Sequence, residues 1–295
     1  MKFPKLWFLL RPSEWLLVAF FGFIAGITPF FPGRPNLGLR PLGEFIAVTT
    51  ALAVLAVFEK DRGAPFISRL RDWLPMGFTL LAFREMELFL PLSYDGQLEA
   101  GWIRLDRTLL DIWHLRAALQ SLGRVIPLYL ELCYLLVYGT AAISVGILYK
   151  QGKRPLVDRF WVVYLTGTLL AYALFPYFPS QPPRIVFPGL DNPGVTTPLR
   201  QFNLFILNHA TIHVGVFPSA HVSSAFAAAW AMFLLVPERK RYGWCLVVYA
   251  SSVAIATIYG RYHYTADVIA GFGVSLAAAA AAILFAQSKK KGREF

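Results

Sequence analysis

The sequence is poor in charge. Only 15% of its 295 residues are Asp, Glu, Lys or Arg, where a soluble domain carries about a quarter. That shortage, set beside the apolar excess, excludes a disordered chain or a polar coiled coil and argues against a cytosolic enzyme. Cysteine is nearly absent: Cys133 and Cys245 are the only two, both inside apolar runs. Two such residues build neither a disulfide framework nor a zinc ribbon, and both read as fillers facing lipid or core. Acidic residues number 17 against 28 basic ones, a net charge of +11. Such an excess can signal nucleic acid, but the basic residues never gather in one patch. They stand in short clusters between apolar runs, as in the cytoplasmic loops of membrane proteins, so no nucleic-acid partner is expected.

What is plentiful is apolar: 57% of residues are hydrophobic and the mean hydropathy is +0.53. About 20 apolar residues suffice to cross a bilayer as a helix. Runs of that kind cover 14–32, 43–58, 125–149, 160–178, 214–236, 243–259 and 265–286. A weaker run, 76–92, contains Arg84, Glu85 and Glu87, charges that are costly at membrane depth unless paired or facing a polar cavity. Counting it gives an all-α polytopic bundle of about eight spans. The basic clusters then share one side: Lys2, Lys5 and Arg11; Lys60, Arg62, Arg69 and Arg71; Lys150, Lys153, Arg154 and Arg159; Arg239–Arg241; and Lys289–Lys291 with Arg293. The positive-inside rule makes that side, and both termini, cytoplasmic. The first run is too long and aromatic for a signal peptide and is read as a span. Trp102–Leu122 alternates apolar and charged residues and is expected to lie at the interface as an amphipathic helix. Gly22 and Gly26 have the spacing of a helix-packing motif. The expected division is an N-terminal membrane unit, 1–75, and a catalytic membrane domain, 76–295, with a six-helix core.

This topology sets three polar clusters on the non-cytoplasmic face: Gln181–Arg184, Phe217–His221 and Arg261–Asp267. His263 and Asp267 are four apart and share a helical face. The carboxylate can take the imidazole's outer N–H, fixing the tautomer and freeing the other nitrogen as nucleophile or base. Such a pair can also simply satisfy two polar groups. His221 follows Pro218-Ser219 at a helix start, where free N–H groups favour an anion; alternatively Ser219 is only the cap. Arg184 offers a planar fork to phosphate oxygens, and Arg261 offers a second. Glu131 and Tyr262 are candidates for a polar pocket. Together these residues fit phosphoryl transfer, which needs a nucleophile, an acid and charge stabilisation. His209 and His213 also stand four apart, but no acidic ligand accompanies them as zinc would require, so no metal is expected. His114 reads as a surface residue. Polar residues confined to one face argue against a permeation path, which needs them at the midplane.

These residues resemble the type 2 phosphatidic acid phosphatase superfamily, whose pattern reads K-x6-R-P, P-S-G-H and S-R-x5-H-x3-D. Pro218-Ser219-Ala220-His221 matches the second element apart from Ala220, and His263-x3-Asp267 matches the end of the third. Phe217-Pro218-Ser219-x-His221 with His263-Tyr264-x-x-Asp267-Val268-Ile269-Ala270-Gly271 looks most like the inositol phosphorylceramide synthase branch. Thr265 is similar to sphingomyelin synthases. The resemblance covers roughly 100–286. It implies that His263 attacks phosphorus to form a phosphohistidine, that Asp267 orients it, and that His221 protonates the leaving oxygen. Ser219 and Arg184 would hold phosphate oxygens, with no metal or cofactor. Tyr177 stands where the first motif's lysine falls and Thr257 where the third motif's arginine falls. Those departures point toward the transferases, which move a phosphorylated head group such as phosphoinositol from a phospholipid donor to a lipid alcohol. A lipid-phosphate or polyprenyl-phosphate phosphatase is the alternative.

Overall fold

The computed structural model describes residues 9–34, 37–89, 91, 96–188, 192–212 and 215–291. Its elements are helical, with no strand among the described residues. They are α1 (Pro12–Ile27), α2 (Arg40–Arg62), α3 (Pro65–Glu85), α4 (Glu99–Arg107), α5 (Leu115–Ser121), α6 (Val125–Leu136), α7 (Thr140–Lys150), α8 (Val157–Leu174), α9 (Pro183–Val186), α10 (Pro198–Ala210), α11 (Ala220–Leu235), α12 (Arg241–Tyr259) and α13 (Thr265–Lys291). Among the described residues six stretches are long and apolar enough to cross a membrane: Pro12–Phe30, Arg40–Asp61, Val125–Lys150, Arg154–Tyr177, Arg241–Tyr259 and Thr265–Leu284. The chain is a multi-pass membrane helical bundle.

Two of the eight expected spans have another form. The run at 214–236 is helical only from Ala220 to Leu235, because Pro218 restricts the residue before it and Ser219 caps the helix. The run at 76–92 belongs to α3, which starts at Pro65 and ends at Glu85; residues 90 and 92 lie outside the described residues. Proline is well placed in a helix's first turn, where its missing N–H costs nothing. The expected boundary at 75/76 therefore falls inside α3. Arg71, expected in a cytoplasmic loop, is instead a buried helical residue paired with Glu14 of α1 and Glu59 of α2. Removing this guanidinium would take the buried Glu14 carboxylate's side-chain partner away, while Glu59 would keep Arg11 at 3.2 Å. Asp72 of α3 accepts from Arg11, Arg154 and Tyr149. This network, with Trp161 donating to the Asp72 carbonyl at 2.7 Å, ties α1–α3 to α7 and α8.

The amphipathic stretch 102–122 is not one helix. It is α4, a π turn over Thr108–Ile112 and α5, divided at His114, whose φ of 56° is left-handed. The span 125–150 is likewise interrupted, by a 3-10 turn at Val137–Gly139 between α6 and α7. Of the two glycines with packing-motif spacing, Gly22 faces the Phe45 ring and Gly26 has nothing within 4 Å of an added Cβ. Close approach matters elsewhere. A Cβ on Gly271 of α13 would stand 2.4 Å from the Ser219 carbonyl oxygen, and one on Gly167 of α8 would stand 2.9 Å from Ala227. These glycines let α8, α11 and α13 pack backbone to backbone around the start of α11.

Candidate active site

The start of α11 and the loop between α12 and α13 meet through that packing. The Ser219 N–H donates to the Asp267 carbonyl at 2.9 Å, joining two of the three polar clusters. The third is joined to them where the Arg184 N–H donates to the Arg261 carbonyl at 3.1 Å. Three segments distant in sequence are thus fixed together by backbone hydrogen bonds.

His263 and Asp267 form the expected pair, Nδ1 to Oδ2 at 3.2 Å. The same Oδ2 accepts the Tyr264 N–H at 2.9 Å. Because the carboxylate accepts, the His263 proton sits on Nδ1 and Nε2 carries a lone pair. That Nε2 stands 3.4 Å from Nδ1 of His221. The other nitrogen of His221 lies 3.3 Å from the Tyr138 hydroxyl, which the 3-10 turn between α6 and α7 presents. A consistent chain follows: Tyr138 O–H to His221 Nε2, His221 Nδ1–H to His263 Nε2, His263 Nδ1–H to Asp267. His263 lies in the α12–α13 loop, and burial, reinforced by the Arg184 charge, pushes its pKa down to about 3. The imidazole is therefore neutral at physiological pH, as a nucleophile must be.

Arg184, on α9, lines the same cavity as His221 and His263. Burial pushes its pKa down. Its guanidinium lies 6.0 Å from the Tyr262 ring, and among the described residues no carboxylate pairs with it. The other two arginines nearby are committed. Arg261, 1% exposed, donates to Asp106 Oδ2 at 2.6 Å and does not line the cavity; its contribution is the carbonyl that holds the Arg184 turn. Asp106 also accepts the Thr265 N–H at 2.8 Å, at the start of α13. Arg200 of α10 pairs with Glu131 at 3.1 Å. Glu131 does not face the cavity either: it accepts from Arg200, Asn203 and the Tyr262 hydroxyl, and so braces the back of Tyr262. The Tyr262 ring, stacked on Tyr134 at 3.9 Å, lines the cavity. Ser219 is fully buried and its hydroxyl caps α11, accepting the Val222 N–H at 3.4 Å, rather than facing the cavity as a phosphate ligand.

The cavity has a volume of about 290 Å3. Its charged and imidazole groups gather at one place, and most of the remaining wall is apolar or aromatic, including Met76, Phe83, Trp161 and Phe175. Among the described residues no carboxylate lines it. A buried guanidinium without a counter-ion beside two imidazoles makes a receptor for an anion, and the wall beyond suits hydrocarbon. Among the described residues no group of His, Cys, Asp and Glu could hold a metal ion. His209 bonds the Phe205 carbonyl, and His213 lies outside the described residues. The positions that depart from the motif supply no charge: Thr257 is buried and bonds the Ala254 carbonyl, and Tyr177 packs near Phe31.

The fold and the site define a multi-pass membrane helical protein in which a buried arginine and two imidazoles line one largely apolar cavity. Residues 102–281 match the family described as the PAP2 superfamily, and the chain belongs to that superfamily. It is also 36% identical over 137 residues to a PA-phosphatase related-family protein of Dictyostelium discoideum. That alignment covers 43% of this chain and 24% of the relative, so the chain matches about a quarter of the relative's length. No solved structure matches the chain at a significant level.

Tyr138, Asp106, Arg200 and Asn203 escaped the sequence reading of the site. Tyr138 lies inside an apolar span with only the following glycine to mark it. The partners of Arg200 and Asp106 are 69 and 155 residues away, and no local spacing betrays such pairs.

Proposed function

We propose that the protein is a lipid phosphotransferase that moves a phosphorylated head group from a phospholipid to a lipid alcohol through a phosphohistidine. The observation that carries this reading is the uncompensated Arg184 guanidinium beside His221 and His263, at the polar end of an otherwise apolar cavity. The substrate's phosphate enters between the two imidazoles, and its charge favours the imidazolium form of His221. His263 Nε2 attacks phosphorus while the P–O bond to the leaving alcohol breaks. His221 Nδ1 gives its proton to that oxygen and becomes neutral. Asp267 stabilises the charge that develops on His263, and Arg184 stabilises the equatorial oxygens. In the second half, neutral His221 takes the proton of the acceptor hydroxyl as its oxygen attacks phosphorus, and the P–N bond breaks. No cofactor enters either half. The phosphoinositol head group and the inositol phosphorylceramide synthase-like branch are the finer form of this proposal.

Hydrolysis is the second reading, favoured by the name of the Dictyostelium relative. The first half-reaction is common to both, and the acceptor decides. Eight crossings, with α3 and α11 completing the six membrane-length helices, would leave both termini cytoplasmic and the site on the opposite face. The deciding assay offers labelled phosphatidylinositol with ceramide or diacylglycerol to the purified protein. Label in a new lipid supports transfer; label released only as water-soluble phosphate supports hydrolysis.

A further inference from the structure

Part of the cavity wall comes from a helix that the family match does not reach. Met76, Thr79, Leu80 and Phe83 of α3 all line it, while the match begins at residue 102. The four lie at i, i+3, i+4 and i+7, one continuous face of a helix. Thr79 spends its hydroxyl on the Pro75 carbonyl at 2.7 Å, so this face offers methyl groups, a thioether and a ring rather than hydrogen bonds. The helix is held firmly one turn before that face: Asp72, four residues before Met76, takes bonds from Arg11, Arg154 and Tyr149. At the other end the Phe83 ring packs 5.6 Å from Tyr172 of α8. Leu80 lines the cavity and is 58% exposed, so the cavity opens to the surface beside it.

We propose that α3 is the chain-selecting element of the site: the face Met76-Thr79-Leu80-Phe83 binds a hydrocarbon chain of the lipid whose phosphate sits at His263, with Leu80 at its lateral opening. This rests on the reading of the cavity as a lipid-phosphate site. Each methylene buried against an apolar wall strengthens binding, so a face of this kind separates chains by length and bulk without touching the reacting atoms. The catalytic residues belong to the shared family region, whereas the selecting helix does not.

Two measurements on the full-length protein in proteoliposomes test it. In the first, Leu80→Trp narrows the opening at an exposed position that tolerates change, and Phe83→Ala widens the cavity. Consumption of the donor is read on phosphatidylinositols and phosphatidic acids of eight- to eighteen-carbon chains, with diacylglycerol present as acceptor, and on a water-soluble short-chain phosphate ester. The expected result for Leu80→Trp is a fall of tenfold or more in kcat/KM for the longest chains, shrinking steadily as the chain shortens and smallest for the soluble ester. Phe83→Ala is expected to move the preference toward longer chains. A parallel change across all chain lengths in both variants overturns the proposal. The second measurement needs no turnover: a phosphatidic acid with a chain-borne diazirine is photolysed with the protein, and the modified residues are mapped. Label at Thr79 or Phe83, depleted by excess phosphatidic acid but not by phosphatidylcholine, supports the chain site even where lipid turnover is absent and the functional reading fails. Label confined to residues beyond 102 overturns it.

Discussion

Nε2 of His263 and Nδ1 of His221 stand 3.4 Å apart, although the residues are separated by 42 positions. Neither contact follows from its own helix. His221 is placed by the Ser219 cap, and His263 by the turn that Arg261 makes at a φ of 60°. The two segments are locked where Gly271 lets α13 approach the Ser219 carbonyl. In the proposed mechanism the His263 lone pair is covered by the His221 proton at rest, and an incoming phosphate would replace that contact. Four consequences can be measured.

Arg261 and Arg184 differ in what they hold. Arg261 compensates buried Asp106, and breaking a buried pair costs about 3–5 kcal/mol. Arg261→Ala should therefore lower thermal stability in detergent substantially. Arg184→Ala removes a charge without leaving a protein carboxylate unpaired, so it should leave the melting temperature nearly unchanged while lowering kcat/KM by about 100-fold or more. Melting curves and kinetics on both variants check this, and the opposite pattern would reassign the phosphate contact to Arg261.

The Tyr138 hydroxyl lies 3.3 Å from His221 Nε2, where it would orient the proposed acid. Tyr138→Phe should slow substrates with alkoxide leaving groups by about tenfold. Aryl phosphates with good leaving groups need little protonation and should be affected much less. Equal losses on both would mean that the tyrosine acts on folding or on the nucleophile instead.

The depressed pKa of His263 makes stability pH-dependent with a definite sign. Burial and the Arg184 charge hold the folded value at about 3, against about 6.5 in an unfolded chain. Between those values the unfolded chain binds a proton that the folded one does not, so stability is highest above about 6.5 and falls as the solution is acidified. His263→Ala should flatten the drop in melting temperature between pH 7.5 and pH 5 relative to wild type. An unchanged slope would show that the ring is already charged in the fold.

The helical class, the six long apolar spans and the His263–Asp267 spacing were legible because each depends on a period or on composition. Arg184 was legible too, through the Pro-Pro turn that presents it. The cap that Ser219 makes was open to sequence because it is local; the roles of Arg261 and Glu131 were not, because each is decided by partners on other helices: Asp106 on α4, and Arg200 with Asn203 on α10. A sequence shows that an arginine is present but not that a carboxylate 155 residues away has claimed it. The start of α3 was hidden for a similar reason. Its charged first half looks like a loop until Glu14, Glu59 and Asp72 are seen to neutralise it.

The central claim is that His263 carries the phosphoryl group, and trapping it is the most direct test. Purified protein is mixed with a phospholipid labelled at phosphorus, quenched within milliseconds, digested, and the labelled peptide identified. The account predicts an acid-labile, base-stable phosphoramidate on the peptide containing His263. It should be absent from His263→Ala and should build up in His221→Ala offered an aryl phosphate, where loss of the base slows the second half-reaction. Turnover without a labelled enzyme species, or label on His221 or any other residue, would contradict the account.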